Sequence, residues 1–200
     1  QLKLKHSGGN SVIIAAPSSN PASDRTITLP ATADGTLLTT TNPKAGNIIQ
    51  VIQTAKTDTA STNSTSEADL ITLNITPSSN SNKILLFVDL KLGASSNTPD
   101  PIIRLYRDST QIYMGDADGN RSRSMFGADE YDSYNNAEWL LKCVQGNYLD
   151  SPSTASQITY KVKWRIVNNG TLYLNRTGAD NNAANYPRTA SSLVAMEVAA

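Results

Sequence analysis

The stretch GDADGNRSR, residues 115–123, places Asp116, Asp118 and Asn120 at alternate positions, as the oxygen ligands of a calcium loop are placed. Such a loop also needs a glycine at its sixth position and a bidentate glutamate at its twelfth. Counting from Asp116, the glycine comes fourth and the twelfth residue is Gly127. The Asp-Gly pair favours a tight reversal instead. We therefore expect a turn and assign no metal ligand, and a calcium-dependent adhesin is the alternative.

A second candidate lies in GADEYDSYNNAEW, residues 127–139, which gathers four acids and three aromatic residues. Its acids and aromatic residues are Asp129, Glu130, Asp132, Glu138, Tyr131, Tyr134 and Trp139. Rings that stack on sugars and carboxylates that accept hydroxyl hydrogens are common on carbohydrate-binding surfaces, and a pair of carboxylates also serves glycosidases. We expect an exposed loop. Its candidate surface recognition residues are Asp129, Tyr131, Asp132 and Tyr134.

Residues for nucleophilic catalysis are scarce. The only cysteine, Cys143, lies between apolar residues in WLLKCVQ, which predicts a buried structural thiol. The only histidine, His6, is in a different region of the chain, so neither a Cys-His pair nor a Ser-His-Asp triad is expected. The sequence has no glycine-rich phosphate loop and no cysteine cluster. We predict no catalytic residue, no cofactor and no enzyme activity.

The composition restricts the partners. Basic and acidic residues number 17 each, so the formal net charge is zero and a nucleic-acid partner is not expected. No apolar run approaches the length of a membrane-spanning helix, and the first ten residues lack the apolar core of a signal peptide. The remaining composition is dominated by small polar residues, which suit the solvent-facing sides of β-strands.

The elements that must position these residues are predicted to be strands. In QITYKVKWRIV, Ile158, Tyr160, Val162, Trp164 and Ile166 fall on one face, and polar residues occupy the other. KILLFVDLKL repeats this alternation. Its inward residues are predicted to be Ile84, Leu86, Val88, Leu90 and Leu92. Six further segments read as strands, and AEWLLKCVQG reads as a strand rather than a short helix. Short turns separate them, which predicts an all-β antiparallel β-sandwich or jelly-roll-like body over residues 46–200.

The first 45 residues follow a different pattern. Two short apolar segments, SVIIAA and RTITLP, are interrupted by prolines that prevent long continuous strand pairing. A segment of this length cannot build a core of its own. We predict that residues 1–45 form an extended N-terminal attachment arm or shaft, which docks on sister chains or on another protein.

Several segments together resemble tail-fiber-like virion proteins of marine and cyanobacterial tailed phages. NPASDRTITLPATADGTLLTT, residues 20–40, is similar to their short β-rich shaft or attachment segment. The body is similar to their C-terminal domain through six further segments. These are IIQVIQTAKTDTASTNSTS, ITPSSNSNKILLFVDL, GDADGNRSRSMFG, YLDSPSTASQITYKVKWR, TLYLNRTG and RTASSLVAMEV.

The resemblance implies a noncatalytic virion structural protein, a tail fiber or receptor-binding component that mediates host attachment. It further implies a homotrimer whose partners are its own copies, other virion proteins at the N-terminal arm, and a glycan or protein on the host surface. The chain is short for a fiber, so a capsid decoration (cement) protein that stabilises the shell is the alternative. A carbohydrate-processing enzyme that uses acids of the 129–138 loop is the lower alternative.

Overall fold

The computed structural model describes residues 2–5, 7–9, 11–14, 43–95, 99–127 and 137–200. Two compact units divide the chain, Gln1–Leu37 and Leu38–Ala200. In the described part of both units the regular structure is antiparallel strand, apart from one 3-10 turn at Ala137–Trp139. None of the described residues forms a helix with the length and apolar character needed to cross a membrane. The predicted all-β class is confirmed.

The first unit contains one described β-hairpin. Strand β1 (Leu2–Lys5) pairs with β2 (Ser11–Ile14), and Leu2 lies opposite Ile14. SVIIAA therefore contributes a strand, while RTITLP lies outside the described residues. The extended arm over residues 1–45 stays a prediction for the same reason.

The second unit is a β-sandwich of two sheets. The six-stranded sheet contains β3 (Ile48–Lys56), β4 (Ala60–Thr62), β6 (Lys83–Ala94), β10 (Leu141–Asp150), β12 (Leu172–Leu174) and β13 (Ser191–Val198). The five-stranded sheet contains β5 (Ala68–Ile75), β7 (Pro101–Arg107), β8 (Thr110–Ile112), β9 (Phe126–Gly127) and β11 (Ile158–Ile166).

Strict alternation produces the core between these sheets. All five inward residues predicted for β6 and all five predicted for β11 are buried, so both predictions are confirmed. Side-chain hydrogen bonds join β3 to β5 and to the residue after it, from Thr54 Oγ1 to the Thr72 carbonyl (3.0 Å) and from Gln50 Nε2 to the Thr76 carbonyl (2.8 Å). These bonds connect the two sheets along that side.

The six-stranded sheet contains a break that a single asparagine bridges. One edge of β6 pairs with β13 as far as Asp89 and with β12 from Leu92 onward. In the gap, the Lys91 carbonyl accepts a hydrogen bond from the Asn175 backbone N–H (2.8 Å), and the Lys91 N–H donates to Ser191 Oγ (3.0 Å). Ser191 Oγ in turn donates to Asn175 Oδ1 (2.6 Å). The β6 ladder is therefore satisfied through the break.

The Asn175 side chain also closes the neighbouring break between β3 and β4. Its Nδ2 donates to the carbonyls of Lys56 (2.7 Å) and Asp58 (2.9 Å). Asn175 is fully buried and has a φ of +60°, a left-handed conformation that asparagine tolerates better than most residues. Asn175 thus satisfies backbone groups at both breaks and also adopts the left-handed conformation found at this position.

A buried carboxylate closes the end of the same sheet. Glu197, on β13, is fully buried and accepts hydrogen bonds from Asn82 Nδ2, Gln50 Nε2 and both the backbone N–H and the hydroxyl of Ser78, at 2.6–2.7 Å. Burial raises the pKa of Glu197, but these donors outweigh it and hold the pKa below its usual range. Among the described residues these neutral donors keep Glu197 ionised, and they tie the loop after β5 to β13.

Cys143 corrects one prediction. AEWLLKCVQG does become a strand, β10, after the 3-10 turn, but the thiol is exposed and not buried. The register explains the error, because Cys143 lies opposite Lys91 on the outer face whereas Val144, opposite Leu90, is buried. Apolar neighbours along the chain do not determine on which face of the strand the thiol lies.

We expect Asn175→Asp to lower the free energy of unfolding by about 3 kcal/mol or more, because a carboxylate cannot donate to the Lys56 and Asp58 carbonyls and adds an unpaired buried charge. Urea unfolding followed by circular dichroism measures this change. Asn74→Asp is the matched control, since Asn74 is exposed on β5. Equal stability of the two variants would contradict the role assigned to Asn175.

Candidate functional site

The predicted recognition residues Asp129, Tyr131, Asp132 and Tyr134 lie outside the described residues, so their role stays a prediction. The structure does describe both ends of their loop. On one side, β9 pairs with the start of β7. On the other, the Glu138 carbonyl accepts a hydrogen bond from the Ala179 N–H (2.9 Å), and the Trp139 side chain is 55% exposed. Backbone hydrogen bonds therefore hold the chain on both sides of this segment, and Trp139, its last aromatic residue, faces solvent.

The segment GDADGNRSR forms the expected turn. Gly119 has a φ of +54°, and the Arg121 N–H donates to the Asp118 carbonyl (3.2 Å). The Arg121 guanidinium pairs with the Asp118 carboxylate (2.7 Å), and Arg123 Nε donates to the Gly115 carbonyl (2.7 Å). Within the described ranges, no three His, Cys, Asp or Glu side chains gather as metal ligands would.

The outer face of the five-stranded sheet is charged and internally paired. Glu67 accepts hydrogen bonds from the Arg104 guanidinium and from the Tyr106 hydroxyl (2.9 Å). Partial burial, followed by the Glu67 hydrogen bond, raises the pKa of Tyr106. Lys161 and Lys163 each lie 3.4 Å from a carboxylate oxygen of Asp69. Because its charged groups already pair with each other, we interpret this face as a solvent-exposed surface and not as a binding site.

The outer face of the six-stranded sheet is different, because apolar side chains cross it from edge to edge. The registers place Val51 opposite Met196, Met196 opposite Leu85, and Leu85 opposite Leu149. Directly opposed residues in antiparallel strands point to the same face. Val51 is 55% exposed and Leu149 is 47% exposed. We call these four residues, on β3, β13, β6 and β10, the apolar band.

A groove of about 370 Å³ lies beside the apolar band, between β6 and β10. Phe87 and Asn147 form its first row and Asp89 and Gln145 its second, as the register places these pairs opposite each other. Val88 and Gly146 also line it, and Tyr113 reaches it from the loop after β8. The rings of Phe87 and Tyr113 are 40% and 39% exposed. The groove therefore combines accessible rings with amide and carboxylate groups.

The polar groups of the groove are only partly satisfied. Asp89 Oδ1 accepts hydrogen bonds from Lys91 Nζ and Gln145 Nε2 (3.2 Å for the latter). Asp89 Oδ2 and the Asn147 amide have no hydrogen-bond partner within the described part of the chain. Both remain available to a ligand.

Tyr113 is held at the groove in a conformation that is costly for its residue type. Its φ is +47°, and such a conformation in a residue other than glycine costs about 1–3 kcal/mol. The ring stacks on Tyr148 with centroids 5.2 Å apart. A Cβ atom at Gly146 would lie only 3.2 Å from Tyr113 Cε1 and from Met125 Sδ. The glycine in β10 therefore makes room for this ring.

Sequence reasoning missed both surface features. The alternation in KILLFVDLKL did place Phe87 on the outer face, which was the available signal. The apolar band requires the register of four strands, and Tyr113 comes from the loop after β8, a strand of the other sheet. No family model matches this chain, and no curated protein matches it either.

We expect the Cys143 thiol to react with Ellman's reagent in the folded protein, because the β10 register places it on the outer face. The matched control combines Cys143→Ser with Val144→Cys, which moves the thiol by one residue to the buried face. This thiol should react only after addition of denaturant. Protection of Cys143 in the folded wild-type protein would contradict the register.

Proposed function

We propose that this chain is a noncatalytic structural protein of a phage virion, a homotrimeric tail fiber or receptor-binding component that mediates host attachment. The N-terminal arm attaches it to the particle, and the β-sandwich is its outward, ligand-facing part. The resemblance of the sequence to tail-fiber-like proteins supports the virion assignment. The observation that carries the assembly role is the apolar band.

The apolar band supports self-association because it is a continuous row and not a set of scattered exposed residues. Contiguous apolar surface on a folded domain commonly marks an interaction site. The row runs from edge strand β3 to edge strand β10, so a second sheet face can pack along its whole length.

Copies of the same chain fit this band better than a charged partner. The chain has equal numbers of basic and acidic residues, so its copies do not repel each other through net charge. Equivalent bands can meet around a symmetry axis, which repeats the same apolar contact in every copy. Three copies would also present three identical ligand-facing surfaces, so weak contacts would gain strength by avidity.

The oligomer is tested with Val51→Lys, which puts a charge into the apolar band on an edge strand. We expect light scattering to give the mass of three chains for the wild type and of one chain for this variant, because burying three lysines at one interface is unfavourable. Val167→Lys is the matched control, since Val167 is 45% exposed outside the band. A monomeric wild type, or a trimeric Val51→Lys variant, would exclude assembly through this band.

The virion assignment is tested by immunogold electron microscopy of particles of the virus that encodes the chain, with antibodies raised against the β-sandwich. Label at the tail is the expected result. Label over the head would assign the capsid decoration role in its place. Particles that carry no label, although infected cells contain the protein, would overturn the proposal.

A further inference from the structure

We propose that the groove between β6 and β10 binds a neutral hexose ring at the end of a surface glycan. This inference deepens the proposed attachment function and rests on it, since it names the class of receptor. It places a recognition site on β6, β10 and the loop after β8, separate from the site predicted in the 129–138 loop.

The lining of the groove has the functional groups that a pyranose ring requires. The ring of a sugar has an apolar C–H face, which packs on aromatic side chains such as Phe87 and Tyr113. Its hydroxyl groups both donate and accept hydrogen bonds. The free Asp89 Oδ2 accepts from one hydroxyl, and the Asn147 amide donates to one and accepts from another. A volume of about 370 Å³ suits one or two rings.

Local charge selects an uncharged ligand. Asp89 is the carboxylate of the groove, and its Oδ1 is paired with Lys91 Nζ. The pair has no net charge and Lys91 Nζ is already paired, so an anionic sugar gains no complementary cation from it. A neutral ring loses least on entry, because its hydroxyls exchange water for the Asp89 and Asn147 groups.

The backbone supplies an independent argument. Tyr113 keeps a φ of +47° and stacks on Tyr148, and Gly146 leaves the space that its ring occupies. Backbone strain that the surroundings maintain is concentrated at ligand-binding positions. The strain here fixes an exposed ring at the rim of the groove before any ligand arrives, which lowers the entropy cost of binding.

The position of the groove fits multivalent attachment. It begins one row from the apolar band, roughly 7 Å along the strands, so assembly through the band leaves it near the rim of the interface. One ring in a shallow groove binds weakly, in the millimolar range. Identical grooves on associated copies engage several glycan ends together, and avidity supplies the remaining affinity.

Saturation-transfer-difference NMR on the full chain tests the proposal, with the methyl glycosides of glucose, galactose and mannose as neutral probes. The methyl glycoside of sialic acid is the charged probe. Asp89→Asn and Asn147→Ala alter the groove. Their matched controls are Asp58→Asn, which alters another Asp–Lys pair two residues apart, and Asn63→Ala, which removes another exposed amide.

We expect at least one neutral hexoside to receive saturation and the sialoside to receive none. Each groove variant should weaken that binding about tenfold or more, whereas each control stays within about twofold of the wild type. Absence of transfer to every neutral probe, preference for the sialoside, or equal binding by groove and control variants would overturn the groove assignment. Gold label at the tail combined with any of these results would leave the attachment function intact.

Discussion

The architecture depends on how the six-stranded sheet stays hydrogen-bonded across a break in its middle. β6 is one continuous strand, but β12 and β13 share its edge, and β3 and β4 repeat the division one strand further out. Unsatisfied backbone groups at such a junction would be buried and costly. Asn175 and Ser191 satisfy them with side chains, so four short segments behave as two long strands. The continuous rows of side chains on the outer face require this continuity.

Continuity of the sheet gives its outer face two properties. Rows of side chains line up across β3, β13, β6 and β10, so single apolar residues in four distant segments become the apolar band. The same alignment places Phe87 and Asp89 directly opposite Asn147 and Gln145. Neither feature exists on one strand alone. A disturbance at Asn175 would therefore reach the band and the groove through the register and not through direct contact.

The strands and their inward faces could be predicted from sequence because alternation is local. The alternate apolar residues from Ile158 to Ile166 could be assigned to the buried face from their spacing alone. The same is true of those from Ile84 to Leu92. Pairing is not local, and this explains what was missed. Cys143 has apolar neighbours in sequence, yet its face is set by Lys91 across the ladder. Tyr113 approaches Gly146 only because the two sheets close on each other. The recognition residues of the acid-rich segment lie outside the described residues, so their role stays a prediction.

The two outer faces of the sandwich differ in the side chains they expose. Charged side chains on the outer face of the five-stranded sheet pair with each other. Binding a partner would therefore add little favourable electrostatic energy there, and the face stays in contact with solvent. The six-stranded sheet has an apolar band that gains from burial. It also has a groove in which Asp89 Oδ2 and the Asn147 amide have no hydrogen-bond partner among the described residues. Because the band and the groove lie on one sheet, the proposed assembly and the proposed recognition are coupled. In the proposed assembly, association through the band fixes the spacing between grooves, and fixed spacing converts weak single contacts into attachment.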